Sequence, residues 1–218
     1  MHIKRTKMPK TWPVPRKGKN QRFIANVSHA KKKSISLLAI LRDILKIADT
    51  RKEAKYIVYN GDVKVNNKIR KNDTFPVQTF DTISLEKAKK YYRLEIVNKK
   101  FSLKEITKKE SETKIIKIYG KTILPQNILQ MNLEDGHNLL SKESFNVGDS
   151  VIYNTLSNKV EKIISLKKGS KVEVISGKHA GQKGKITGIE SLTKGKMYKI
   201  KLEEIEVSLP YKTILVIG

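Results

Sequence analysis

Apolar positions recur at helical spacing in one stretch of the amino-terminal half of the chain. In SISLLAILRDILKIA (residues 34–48), Leu38, Leu41 and Leu45 fall on one face of a helix, and Arg42 lies nearer the polar side. The pattern therefore predicts an amphipathic helix over this stretch. A membrane-spanning helix is excluded, because the apolar run ends at Arg42 and a bilayer requires about 20 apolar residues.

A second helix and a hairpin are predicted directly afterwards. The sequence TRKE at residues 50–53 has the S/T-x-x-E form of a capping box, which predicts a helix from about Arg51 to Tyr59. Asn60-Gly61 tolerates the left-handed backbone that ends many helices. The stretch DVKVN, the turn formers Asn66-Asn67 and the stretch KIR then predict a short hairpin, and TFPV and DTISL predict further short strands.

From about Tyr91 onward the pattern is that of strands. YYRLEIV and FSLKEI are separated by the turn residues 98–100 and predict a hairpin. TKIIKIYG, ILQMNLEDGHNLL and SVIYN continue with short β-rich pieces that turns separate. Such spacing is typical of a small antiparallel barrel or sandwich.

The first 33 residues form a different kind of segment, with three prolines and few apolar residues. Such a segment cannot bury a core alone, so we expect an arm that stays extended until it meets a surface. Trp12 has two alternative roles in it. The indole packs the arm onto the rest of the chain, which we favour, or it stacks on an unpaired base.

These patterns predict an α+β, multi-domain chain in four segments. They are an extended basic arm (1–33), two helices plus a hairpin (34–90), a central antiparallel β domain (91–166) and a glycine-rich β domain (167–218). At 38% hydrophobic residues the chain is too apolar to be wholly disordered, and its Ile, Leu and Val suffice for several small cores.

The distribution of charge along the chain indicates which kind of partner it binds. The net charge is +25, and residues 1–42 carry 12 Lys or Arg and no acidic residue. The net charge is +6 over residues 43–105, +1 over 106–166 and +6 over 167–218. Because like charges repel, a segment without acids predicts a polyanionic partner, whose phosphates release counterions when neutralised. Nucleic acid is favoured over an anionic membrane surface, which would require an apolar helical face beside the charge.

Catalytic and metal-binding motifs are missing from the sequence. The chain has no cysteine, which excludes a disulfide framework and a thiolate zinc site. His2, His29, His137 and His179 are far apart, and none belongs to a metal-binding motif. There is no P-loop and no G-x-S-x-G elbow. The sequence therefore predicts no enzyme, no cofactor and no metal site.

A glycine-rich motif stands near the carboxyl end, in VISGKHAGQKGKI. Gly177, Gly181 and Gly184 fall within eight positions, which lets a loop turn sharply and lets another backbone approach closely. The spacing Gly-x-x-Ala-Gly-x-x-Gly closely resembles the KOW motif, a strand–loop–strand element of a small SH3-like barrel in ribosomal proteins and transcription elongation factors. The resemblance implies that the loop contacts RNA or protein. A plain glycine-rich hairpin is the alternative.

The two helices and the hairpin over residues 34–90 resemble the alpha-L RNA-binding module. That module occurs in ribosomal proteins, RNA pseudouridine synthases and some tRNA synthetases. The resemblance implies that the second helix and the hairpin face RNA. It would place these residues near phosphates: Arg51, Lys52, Lys55, Lys64, Lys68, Arg70 and Lys71.

The order of the parts is more specific than any one of them. The stretches HIKRTKMPKTWPVPRK, LLAILRDILKIADTRKEAKYIVYNGDVKVNNKIRKNDTFPV, MNLEDGHNLL, VGDSVIY, VISGKHAGQKGKI and TILVIG cover nearly the whole chain. Together they resemble the family of archaeal and eukaryotic small-subunit ribosomal proteins number four, of the "e" type. The chain ends at Gly218 without the longer basic tail of many eukaryotic members, which favours an archaeal-like member.

This resemblance implies a structural constituent of the small ribosomal subunit that binds its rRNA by phosphate neutralisation and shape. The expected partners are small-subunit rRNA and neighbouring ribosomal proteins in the cytoplasm, with no membrane and no homo-oligomer. The predicted RNA-binding residues are Lys4, Arg5, Lys7, Lys10, Arg16, Lys17, Lys19, Arg22, His29, Lys31, Lys32, Lys33, Arg42, Arg51, Lys52, Lys55, Lys64, Lys68, Arg70, Lys71, Lys178, His179, Lys183 and Lys185. The competing interpretations are a regulatory RNA-binding protein or assembly factor, and a fragment of an RNA-modifying enzyme.

Overall fold

Short antiparallel strands dominate the computed structural model of the chain, and helices are few. The structure describes residues 2–17, 22–141, 143–192, 195–202 and 205–218. The chain divides between Glu112 and Thr113 into two compact units. Among the described residues the longest helix has nine residues, and none could cross a lipid bilayer.

The amino-terminal arm is folded against its own unit within the described residues. Strand β1 (His2–Lys4) pairs antiparallel with β2 (Phe23–Ala25), and a single 3-10 turn follows β1. Six apolar side chains of the arm are buried: Met8, Trp12, Val14, Ile24, Ala25 and Val27. Trp12 is 2% exposed, and its Nε1 donates to the Ser34 carbonyl at 2.9 Å. The preferred role of Trp12 is confirmed, and the arm is less extended than predicted because these few apolar groups find a core.

The first helix is shorter than the predicted one. Ser34–Ser36 forms strand β3, which pairs with β6 (Pro76–Gln78), and helix α1 (Leu37–Ala39) continues as a π-helical turn over Ile40–Ile44. The prediction of a helix over 34–48 is wrong at both ends. Every residue from 34 to 41 is buried, so helical spacing of the apolar residues did not distinguish strand from helix there.

The second helix has the predicted bounds, since α2 covers Arg51–Tyr59. Its capping box is formed: the Thr50 hydroxyl accepts from the Glu53 N–H, and the Glu53 carboxylate accepts from the Thr50 N–H. The N–H of Asp49 also donates to that carboxylate at 2.9 Å. These hydrogen bonds, that of Asp49 first, hold the pKa of Glu53 below its ordinary value.

The predicted hairpin follows as strands β4 (Val63–Val65) and β5 (Lys68–Ile69). Asn66 and Asn67, with φ of 51° and 60°, form its left-handed turn, as predicted. The five-stranded sheet of this unit has the order β5-β4-β7-β8-β9. Its other strands are β7 (Thr82–Leu85), β8 (Lys90–Val97) and β9 (Lys100–Ile106).

Strand pairing therefore crosses the predicted segment boundary at residue 90. Strand β8 pairs along its length with β7, so the hairpin of β8 and β9 lies in the first unit. A one-turn helix, α3 (Lys108–Ser111), ends this unit. The boundary between the two units falls after residue 112. The sequence did not predict this boundary, because turn signals mark where strands end and not which sheet they join.

The first sheet of the second unit has five antiparallel strands in the order β12-β11-β10-β13-β14. Its strands are β10 (Thr113–Ile123), β11 (Leu129–Leu133), β12 (Asn138–Ser141), β13 (Ser150–Asn154) and β14 (Lys159–Ile164). Alternate residues of the strands build one apolar core, with Ile118, Met131 and Val151 fully buried.

The second sheet of this unit has the order β18-β17-β16-β15-β19. Its strands are β15 (Lys171–Val174), β16 (Lys183–Leu192), β17 (Gly195–Lys201), β18 (Glu206–Pro210) and β19 (Ile214–Val216). Val172, Val174, Ile200 and Val216 are at the centre of a separate core. The two sheets are joined by polar contacts inside the unit, among them the Val216 N–H donating to the Ser150 hydroxyl.

Two lysines of β10 lie inside this unit, where a charge needs a partner. Lys114 donates to Asp135 at 2.9 Å, and their side chains are 2% and 6% exposed. Lys117 Nζ donates to the Tyr211 carbonyl at 2.7 Å. Basic residues of this segment are therefore partly structural, which the sequence pattern did not indicate.

Candidate nucleic-acid interface

The described arm carries a row of cations at its surface. Lys4, Lys7, Lys10, Lys17 and Arg22 are exposed, and none of them forms an ion pair within the described residues. His29 and Lys31–Lys33 follow at or near the surface, with His29 Nδ1 at 2.9 Å from the Ser28 hydroxyl. Because no acidic residue precedes Asp43, this charge is not neutralised within the arm's own sequence.

Two predicted RNA-binding arginines of the arm contact the protein itself. Arg5 is 5% exposed and donates from Nη1 to the Pro15 carbonyl at 2.7 Å. An RNA contact of Arg5 therefore stays a prediction, and in this structure its guanidinium contacts the protein backbone. Arg16 Nη2 donates to the Met8 carbonyl, although the residue as a whole is exposed. A further predicted residue of the arm, Lys19, lies outside the described residues.

The cations around α2 and the hairpin fall into two groups. Arg42 forms a two-bond pair with Asp43, Arg51 Nε donates to Asp73 at 2.8 Å, and Lys64 donates to Glu86. The other group, Lys52, Lys55, Lys68 and Lys71, is exposed and has no carboxylate partner in the described part of the chain. The structure thus leaves the second group available to an external anion.

A cleft of about 640 Å³ lies beside these lysines. We call it the α2 cleft, and its lining residues are Lys55, Tyr59, Ile69, Arg70, Lys71, Asn72, Asp73 and Phe75. They come from the end of α2, from β5 and from the loop that follows β5. The sequence indicated its cations but no concave site, because the lining residues meet only in the folded chain.

The glycine-rich loop has the geometry that its spacing predicts. Gly177 and Gly181 adopt φ of +99° and +89°, a backbone region that strongly favours glycine. A Cβ at Gly184 would lie 2.5 Å from the Lys201 carbonyl oxygen, so this position is glycine because another backbone approaches it. The interpretation of the motif as one turn-forming and backbone-contacting unit is confirmed.

The predicted RNA-binding residues of this loop differ in their surroundings. Lys178 and Lys185 are exposed without an ion pair in the described part of the chain. Lys183 Nζ lies 3.9 Å from the Glu173 carboxylate, and His179 Nδ1 lies 2.9 Å from Gln182 Oε1. All four reach the surface or its edge, so each remains a predicted RNA contact.

Strand register creates a surface feature that the sequence did not indicate. Lys185 lies directly opposite Lys171 on one side and opposite Lys201 on the other, and all three are exposed. We call these three residues the lysine row. Adjacent strands are about 4.8 Å apart, and like charges directly opposite one another destabilise a sheet. Lys171 and Lys201 carried no local signal, because only the pairing of β15, β16 and β17 brings them into line.

The surface of the described residues is rich in cations that have no carboxylate partner. Its exposed groups are dominated by ammonium ions, which are strongly hydrated point charges suited to phosphate oxygens. Among the described side chains, no group of three His, Asp or Glu is arranged to hold a metal ion.

Comparison with protein families agrees with this chemistry. The family model described as "Ribosomal family S4e" matches residues 88–160, and that of the KOW motif matches residues 168–196. The KOW match includes the whole glycine-rich loop.

Similar proteins cover most of the chain. The small ribosomal subunit protein eS4 of Methanosphaera stadtmanae is 36% identical over 209 residues, which are 95% of this chain and 87% of that protein. The corresponding protein of Methanocella arvoryzae is 36% identical over 87% of this chain and 81% of its own length. The crystal structure of the 30S ribosomal protein S4e from Thermoplasma acidophilum superposes with a TM-score of 0.74 at 30% identity, covering 85% of this chain and 95% of that one. With such identity over most of both chains, the chain belongs to ribosomal family S4e.

Proposed function

We propose that the chain is a structural constituent of the small ribosomal subunit, where it binds rRNA and stabilises the body of the subunit. The observation that carries this proposal is its similarity to small-subunit ribosomal proteins over most of its length. The unpaired exposed cations of both units support it, because close-packed RNA helices need their phosphate charge neutralised. These relatives are ribosomal proteins and not enzymes.

The mode of binding follows from the kind of cation. Of the 46 basic residues 39 are lysine, which suits contact with phosphates more than the bidentate reading of bases. A-form RNA helices are recognised mostly through their backbone and shape. The chain therefore recognises rRNA by shape and phosphate position, with little direct reading of base edges.

We infer different roles for the four predicted segments. The arm (1–33) and an alpha-L module (34–90) contact RNA, and an SH3-like KOW barrel (167–218) adds a second RNA-binding surface. Of the predicted central domain (91–166), the first hairpin belongs to the sheet of the first unit, and the part from residue 113 onward is a near-neutral scaffold. The distribution of charge and the α2 cleft support this division. The partners are small-subunit rRNA and neighbouring ribosomal proteins on the cytoplasmic ribosome, without a cofactor, a membrane or a second copy of the chain.

Sedimentation tests the assignment to the small subunit. The tagged full-length chain is expressed in an archaeal host, and its lysate is separated on a sucrose gradient at low salt. We expect the chain to migrate with small subunits and to leave them as salt is raised, because phosphate contacts weaken with salt. A chain that stays at the top of the low-salt gradient would contradict the proposal and favour a free-standing RNA-binding protein.

Neutralising the arm should flatten the salt dependence of RNA binding. For the variant with Lys4, Lys7 and Lys10 all changed to Gln, the negative slope of log K against log salt concentration should become less steep by about 2–3. Arg5 stays in place because it is buried and holds the Pro15 carbonyl. Affinities for small-subunit rRNA are measured by filter binding at five salt concentrations.

The control for the arm variant is Lys87→Gln. Lys87 is an exposed lysine that already donates to Asp62 at 2.7 Å, so its loss should leave the slope unchanged. An arm variant with the wild-type slope would mean that these three lysines touch no phosphate.

The lysine row should respond to substitution in opposite ways in the free and bound protein. Lys185→Gln removes the central charge between Lys171 and Lys201, so the thermal midpoint of the free protein should rise. The same change should weaken rRNA binding, since it removes a phosphate contact. Lys178→Gln is the matched control, because no lysine lies opposite it in a strand pair, and it should weaken binding without raising the midpoint. If the Lys185→Gln variant is stabilised and binds rRNA with unchanged affinity, the lysine row is not part of the RNA interface.

A further inference from the structure

We propose that the α2 cleft binds one unpaired nucleotide of RNA, with its base stacked on Tyr59 and its phosphate held by Arg70 and Lys71. This inference rests on the proposed RNA-binding function and adds a ligand class to it. A cleft of about 640 Å³ is within the usual range for a small organic ligand, whereas phosphates on a helix surface require no concave site.

Tyr59 supplies the platform for a base. Its side chain is 59% exposed at the end of α2, although an aromatic ring of this size is usually at least half buried. Lys55 Nζ lies 5.5 Å from the centre of the ring, so one cation is already held beside the stacking surface. Stacking of a base on an aromatic side chain contributes about 1–3 kcal/mol and tolerates any base identity.

Arg70 supplies a donor that the folded protein does not use. Its guanidinium carbon lies 4.4 Å from the centre of the Phe75 ring, which holds the planar group in place. Its Nε is buried and has no hydrogen-bond acceptor among the described residues. The guanidinium lines the cleft and is held in place by the Phe75 ring, so a phosphate in the cleft would meet a positioned, charged donor group.

The charge in the cleft favours an anion. Lys55, Arg70 and Lys71 line it, and none of them is paired with a carboxylate in the described part of the chain. The remaining charged group, Asp73, is 10% exposed and accepts from Arg51 Nε at 2.8 Å, so its charge is already neutralised. Three cations beside an exposed ring fit a base with its phosphate, whereas a paired helix buries its base faces and offers none to Tyr59.

Two RNA hairpins test the proposal on the full-length chain. They have the same stem, and one carries a single bulged adenosine, replaced by 2-aminopurine in a second preparation. We expect the wild type to bind the bulged hairpin about tenfold more tightly by fluorescence anisotropy, and the 2-aminopurine signal to be quenched by stacking. Tyr59→Leu should reduce the preference to less than threefold and leave the affinity for the paired hairpin within twofold of the wild type.

Tyr56→Leu is the matched control. Tyr56 is 70% exposed on the same helix but does not line the cleft, so this variant should keep the tenfold preference. Circular dichroism of both variants checks that α2 remains folded.

Four results would overturn the cleft proposal while leaving RNA binding intact. The first three are equal wild-type affinity for the two hairpins, a preference retained by Tyr59→Leu, and a preference lost equally in Tyr56→Leu. Binding of AMP as tightly as the bulged hairpin would assign the cleft to a free nucleotide and also overturn it. Failure to bind either hairpin at low salt would instead contradict the proposed function itself, so the two failures are distinguishable.

Discussion

Replacing Asp135 by Asn is expected to destabilise the second unit by about 3–5 kcal/mol, because it removes the carboxylate that is ion-paired with the buried ammonium group of Lys114. Lys114 Nζ is 2.9 Å from Asp135 Oδ2, and both side chains are almost fully buried. Asp135 Oδ1 also accepts from the His137 N–H at 3.0 Å, so the turn between β11 and β12 depends on the same carboxylate. An amide of the same shape keeps the volume and removes the charge.

The measurement is amide hydrogen exchange of the full-length chain, read at Ile116 and Val151. These residues pair across β10 and β13 and report opening of this sheet. Trp12, the one tryptophan of the sequence, lies in the first unit, so its fluorescence checks that this unit stays folded. Asp62→Asn is the control, since it removes the partner of an exposed lysine and should leave exchange almost unchanged. Wild-type exchange in Asp135→Asn would mean that Lys114 does not depend on this pair.

The effect of Asp135 should also depend on pH. Burial by itself raises the pKa of Asp135, but the charge and hydrogen bond of Lys114, with the N–H and charge of His137, hold that pKa below its ordinary value. A carboxyl whose pKa is lowered by folding stabilises the protein above its unfolded pKa of about 3.9 and loses this contribution as the pH falls further. The difference between wild type and Asp135→Asn should therefore be fully present at pH 5 and shrink below about pH 4. A difference that grows on acidification would contradict the assigned direction.

Replacing Gly184 by Ala is expected to destabilise the second sheet of the second unit (β15–β19) by about 3 kcal/mol. This is the upper end of the range of destabilisation that overpacking causes. The added Cβ would lie 2.5 Å from the Lys201 carbonyl oxygen and 2.9 Å from Ile200 Cγ2. A backbone carbonyl within a strand pair cannot move aside as a flexible side chain can, so β16 and β17 must separate or shift register.

Gly188→Ala on the same strand is the control for this variant. A Cβ there meets nothing closer than Lys199 Cδ at 3.9 Å, so the substitution should be close to neutral. The stability of both variants is compared by urea denaturation followed by far-UV circular dichroism. Equal midpoints for Gly184→Ala and Gly188→Ala would show that the close approach at Gly184 carries no cost.

Local signals in the sequence were sufficient for several elements. The bounds of α2, its capping box and the Asn66-Asn67 turn were predicted correctly, because each depends on residues within a few positions of one another. The glycine-rich loop belongs to the same class, since Gly177 and Gly181 each answer a backbone requirement at their own position. The overall charge and its concentration in the arm also follow from the sequence alone.

Whether an individual basic side chain is exposed or buried was decided only by the tertiary structure. A positive charge in the sequence does not say whether a side chain lies at the surface, as Lys55 does, or in the interior, as Arg5 and Lys114 do. The acceptor for Lys117 is the Tyr211 carbonyl, 94 positions away. Burial depends on partners that the chain brings together from such distances, and no local pattern encodes them.

Long-range packing also explains why the sequence did not predict the lysine row or the α2 cleft. The lysine row exists because β16 pairs in one register with β15 and β17. A shift of that register by one residue would move the Lys185 side chain to the opposite face of the sheet. The α2 cleft exists because the end of a helix and the loop after β5 come together. Composition and short motifs determined that this chain is a cationic member of its family, and long-range packing decided which of its cations remain free to bind.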